Sequence, residues 1–113
     1  MILQVYVDEQ TFPIEVPDFV LREATEMFDR MDRDMDRGWQ MSRTWVEKPD
    51  TVQRCQIAAD RLLTALHQEN EAVTAMMAGY ILSRLPGVVG VRVDTTGDIT
   101  QTEFMTGPQS VSP

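Results

Sequence analysis

The sequence predicts an α+β fold. Three helices, at about residues 18–46, 50–68 and 71–85, pack with an N-terminal antiparallel hairpin (2–7, 12–16) and a C-terminal one (89–94, 99–105). Three observations carry this. Eleven of the fourteen residues from Ala72 to Leu85 are apolar or Gly, and a helix apolar all round is an enclosed one. Two stripes of helical period precede it, and alternation of period two marks both chain ends.

Ile2 to Val7 is rich in β-branched and aromatic residues and reads as a strand. After the polar Asp8-Glu9-Gln10-Thr11, residues Phe12, Ile14 and Val16 alternate with Pro13 and Glu15. Pro13 has no amide hydrogen to give a ladder, so this second strand belongs at a sheet edge.

Asp18, after Pro17, is the expected cap of the first helix. Leu21, Ala24, Phe28, Met31 and Met35 make its apolar stripe, with Val20, Met27 and Trp39 beside it. The opposite face, from Glu23 through Asp29, Asp32 and Arg33 to Arg37, reads as solvated, with Glu26–Arg30 and Asp29–Arg33 at pairing distance. The pattern runs to Ser42 or Val46, with Gly38 a weak point.

Pro49 ends it. Asp50 then resembles an N-cap with Gln53 placed to reach back, and Val52, Cys55, Ala59, Leu62 and Leu66 form a second stripe. The chain reverses at Gln68-Glu69-Asn70 and enters the third helix. There Ala72, Ala75, Gly79 and Ser83 make a thin stripe that lets another backbone come close, and Val73, Met77, Tyr80 and Ile81 fill broader faces. Pro86-Gly87 stops it. Val89, Val91 and Val93 alternate as a strand, Thr95-Thr96-Gly97-Asp98 reads as a hairpin turn, and 99–105 returns. The single domain spans 1–105, and 106–113 reads as a flexible tail.

With 113 residues, 42% hydrophobic and 25% charged, the chain is an ordinary globular domain. A net charge of −8 opposes nucleic acid, which needs clustered positive charge, and anionic membranes as well. Nine of the ten basic residues are Arg, as a GC-rich genome would give. Cys55 is alone and reads as a small buried hydrophobe. With no leader pattern and no span of membrane length, a cytoplasmic location is expected.

The acidic run Asp32-Arg33-Asp34-Met35-Asp36-Arg37-Gly38 looks like a calcium loop, but counting from Asp32, Arg37 and Arg43 stand where that loop needs Gly and a bidentate Glu. His67 and Cys55 lie about 120° apart around a helix and share no face, so His67 reads as a helix-end residue near the last carbonyls. Leu85-Pro86-Gly87-Val88-Val89-Gly90-Val91-Arg92-Val93-Asp94 resembles the helix-to-strand passage of small ferredoxin-like metal-carrier domains. Those domains hold metal through paired cysteines, which Cys55 alone does not supply, so the resemblance implies only a helix packing back onto a strand. No metal, cofactor or catalytic motif emerges.

The feature that competes for function is Met35, Trp39, Met41 and Trp45. On a straight helix the two Trp residues stand about 240° apart, so both cannot be buried on one side. One of them covers an edge, lines a pocket or meets another subunit; internal core is the competing reading. Of three candidate functions, two lead. One is a non-enzymatic interaction protein that homodimerises, using weak edge strands and the Trp cluster. The other is a small-molecule domain with a pocket near Trp39, Trp45, Tyr80 and Met77. An enzyme using Asp34, Asp36, Arg37 or His67 is the third and least supported.

Overall fold

The computed structural model describes residues 1–107. It is an α+β fold in which both chain ends feed one four-stranded sheet. Strands β1 (Ile2–Val7) and β2 (Gln10–Glu15) form the first hairpin. Strands β5 (Val88–Val93) and β6 (Glu103–Thr106) form the last. A parallel pairing of β1 with β5 joins the hairpins, giving the order β2-β1-β5-β6. Parallel neighbours need a long crossover, and the helices supply it. Leu3, Val5, Val7, Val91 and Val93 are buried on the inner face of the sheet.

The first hairpin closes on a two-residue turn with Asp8 at φ 54°. Val7 and Gln10 close it, and alternation from there makes Gln4–Pro13 a pair without mutual hydrogen bonds. The nitrogen of Pro13 therefore faces outward from an edge strand, where its missing hydrogen costs no ladder bond.

Helix α1 (Asp18–Glu23) and α2 (Thr25–Met35) occupy the first part of the expected helix. Pro17, not Asp18, holds the N-cap position, with no side-chain cap. Asp18 lies instead 3.9 Å from the N-terminal amine. The larger correction is at the other end: the helix does not run to 46. Gly38 sits at φ +103° and donates to the Met35 carbonyl at 3.0 Å, a left-handed stop that favours glycine. Beyond it the Trp, Thr and Val content favours strand, and a separate two-stranded ribbon forms from β3 (Trp39–Met41) and β4 (Thr44–Val46).

Helix α3 (Thr51–His67) begins with the expected capping box: Gln53 N donates to Asp50 Oδ1 at 2.8 Å, and Asp50 N to Gln53 Oε1 at 2.9 Å. Cys55, Ala59 and Leu62 are fully buried, whereas Val52, at the head of the stripe, is 47% exposed. Helix α4 (Glu71–Arg84) is capped by Asn70. From Met77 to Leu82 every residue is buried, so this segment has no solvent face. At Gly79 an added Cβ would stand 3.2 Å from Phe28 and 3.5 Å from Val16; the thin stripe admits close neighbours there. Ala72 and Ser83, at its ends, are exposed.

The C-terminal connection is longer than a tight turn. Asp94 accepts from the Thr96 and Asp98 amides, and Asp98 accepts from the Thr100 amide. These side-chain bonds outcompete the strand ladder, so 99–101 forms a 3₁₀ turn and β6 begins at Glu103. It extends through Thr106, and Gly107 N donates to Gly87 O at 2.9 Å. The rest of the expected tail lies outside the described residues. No described helix is long and apolar enough to cross a membrane.

Candidate functional site

The densest polar constellation joins α2, α3 and α4. Asp32 stands four residues after Phe28, about 40° from it around the helix, and so on the border of the buried stripe, not on the solvated face. Its carboxylate accepts four hydrogen bonds. Oδ1 receives the Tyr80 hydroxyl at 2.5 Å and Arg54 Nη1 at 3.2 Å; Oδ2 receives Arg84 Nε at 3.1 Å and Nη2 at 2.8 Å. Arg54 also binds Asp36 and the Pro49 and Asp32 carbonyls. Arg84 reaches Asp29 at 3.3 Å and lies over the Tyr80 ring, 5.1 Å from its centroid. Phe28 meets Tyr80 edge-on at 5.9 Å. Asp29 thus pairs with α4 in place of Arg33.

Burial acts to raise the Asp32 pKa, but the hydrogen bonds from Tyr80, Arg84 and Arg54 outweigh it and hold the carboxyl below its usual range. Burial, then the bond to Asp32, pushes the Tyr80 hydroxyl well above its ordinary value. Burial pushes the Cys55 thiol up to about 12, which Arg84 opposes and Asp32 reinforces. A cleft of about 370 Å³ opens beside Pro49, Thr51, Tyr80 and Arg84. Its guanidinium groups are committed to protein acceptors, so the arrangement acts as a clamp among three helices. Local spacing does not reveal this network: the helical pattern puts Asp32 on the solvated face and gives Arg54 and Arg84 no partner. A carboxylate bordering an apolar stripe was the available signal.

The residues singled out in sequence separate. Met35 (2% exposed), Met41 (1%) and Tyr80 (1%) belong to the core. Trp39 is half-buried against it. Trp45 is 56% exposed. The ribbon accounts for the split: Trp39 pairs with Val46 and Met41 with Thr44 on the inward face, while Gln40 and Trp45 pair on the outward one. The Trp45 ring lies across Gly38, where a Cβ would collide with it. The cleft that Tyr80 lines is bordered by neither Trp.

At its turn, the ribbon is pinned to the C-terminal connection. Ser42, at φ 56°, donates to Asp98 at 2.7 Å and accepts from the Ile99 amide at 3.1 Å. Bonds from Thr100 and Ser42 lower the Asp98 pKa. His67 is exposed at the end of α3. Among the described residues, no three His, Cys, Asp or Glu side chains are grouped so as to hold a metal ion. Comparison with protein-family models, curated proteins and solved structures finds no match to this chain.

Proposed function

We propose that this protein acts by association, as a non-enzymatic cytoplasmic interaction module that pairs with a second copy of itself. The observation that carries the reading is Trp45, a large aromatic 56% exposed on a ribbon of only two strands. Trp is enriched where interfaces concentrate their binding energy, and a two-stranded ribbon, marginal on its own, gains order from what packs against it. A small-molecule site at Trp39, Trp45 and Tyr80 has less support, because the Tyr80 hydroxyl is committed to Asp32.

Light scattering across the micromolar range, combined with iodide quenching of Trp fluorescence, tests the reading. The expected result is a mass twice that of the chain, with quenching that falls as the dimer forms. A constant monomer mass with concentration-independent quenching overturns it.

A further inference from the structure

Residues 41–44 of the ribbon and Thr96, Gly97, Asp98 and Thr100 of the C-terminal connection line a cleft of about 540 Å³, a size usual for small-molecule sites. The lining carries one charge of each sign. The Arg43 guanidinium, exposed in the ribbon turn, makes no ion pair or hydrogen bond among the described residues. Asp98 accepts the Ser42 hydroxyl at 2.7 Å, the Thr100 amide at 3.1 Å and the Thr100 hydroxyl at 2.5 Å, all on Oδ1. Lone pairs are left on Oδ2. Bonds from Thr100 and Ser42, with a smaller one from Gln101, hold the group as a carboxylate at neutral pH. Arg43 and Asp98 thus border one space without pairing with each other.

We propose that this cleft binds a free α-amino acid as its zwitterion, the ligand carboxylate on Arg43 and the ligand ammonium on Asp98 Oδ2. The site goes beyond the association reading and does not depend on it. The two signs select the ligand. An anion would meet Asp98 and a chain of net charge −8, and a cation would meet Arg43. A neutral polyol would leave both charges without a counterpart. An α-amino acid carries ammonium and carboxylate on neighbouring carbons and answers both at no net charge. The planar fork of Arg43 matches a carboxylate with two parallel hydrogen bonds. Hydroxyls of Thr44, Thr96 and Thr100 line the rest of the cleft beside Met41, which is 1% exposed. Three hydroxyls against one apolar side chain favour a ligand whose own side chain is small and polar.

Isothermal titration of the full chain with a panel of free α-amino acids, and amide chemical shifts that locate the binding, test the proposal. The expected result is saturable binding of a small polar member such as serine or threonine, with shifts at 41–44 and 96–100. Its methyl ester lacks the carboxylate charge and its N-acetyl form lacks the ammonium. Each is expected to bind roughly tenfold or more weakly. Arg43→Gln alters an exposed side chain without a partner, so the melting temperature is expected to hold while affinity falls by a similar factor. No saturable binding by any member up to about 10 mM overturns the proposal. So does binding that either derivative or Arg43→Gln retains in full, or shifts confined to other parts of the chain. The oligomeric state of the protein decides none of these results, so this site and the self-association reading stand or fall separately.

Discussion

The hydroxyl of Tyr80 donates to Asp32 Oδ1 at 2.5 Å, tying the enclosed α4 to α2 across 48 positions of sequence. Arg54 and Arg84 converge on the same carboxylate, so one side chain fixes three helices. Asp32→Ala leaves two partly buried guanidinium groups and a buried hydroxyl short of an acceptor. It is expected to cost about 3 kcal/mol in urea denaturation, more than Tyr80→Phe, which removes a single bond to a charged group. The double variant is expected to lose less than the sum.

Acid should act through the same carboxylate. The folded pKa of Asp32 lies below the unfolded value, near 3.8. The stability it contributes is therefore fully present above about pH 4 and is lost as pH falls through the folded value. Asp98, also lowered, acts in the same window. Unfolding free energy measured from neutral pH downward is expected to fall less steeply in Asp32→Ala than in the wild type.

Gly38 and Gly97 both have positive φ, at +103° and +96°, but differ in surroundings. A Cβ on Gly38 meets the Trp45 ring, and one on Gly97 meets nothing within 4 Å. Gly38→Ala is expected to destabilise by about 2–3 kcal/mol and to shift Trp fluorescence. Gly97→Ala bears only the backbone strain, about 1 kcal/mol, without a spectral change.

The Cys55 thiol, fully buried with its pKa raised to about 12, should be inert in the folded chain. Thiol labelling at pH 8 is expected to proceed only at the rate of unfolding and to become fast in denaturant. Fast labelling of the native protein would show that the α3–α4 packing opens.

Local chemistry made much of this fold legible. Asp50 and Gln53 announced the start of α3, Pro13 placed β2 at an edge, and the unbroken apolar run of α4 told of its enclosure. The helical pattern misled beyond Met35, because Trp39 extends the stripe spacing while Gly38 ends the helix; the left-handed stop outweighs the periodicity. The 3₁₀ turn was hidden because Asp94 and Asp98 bind nearby amides through their side chains. The Asp32 clamp was least legible. Its partners lie 22, 48 and 52 positions away, and nothing in local spacing pairs them. Of the candidate site, the sequence reads Trp39 and Trp45 as a pair that one side of a helix cannot bury together, without choosing between them; which of the two faces outward emerges only in the ribbon.

The account depends on α4 being sealed between the other helices and a sheet drawn from both chain ends. Native-state hydrogen exchange followed residue by residue tests this most directly. Amides from Met77 to Leu82, with those of β1 and β5, should exchange last, at the free energy of global unfolding, while the β3–β4 ribbon opens earlier. Exchange in α4 as fast as in the ribbon would contradict it.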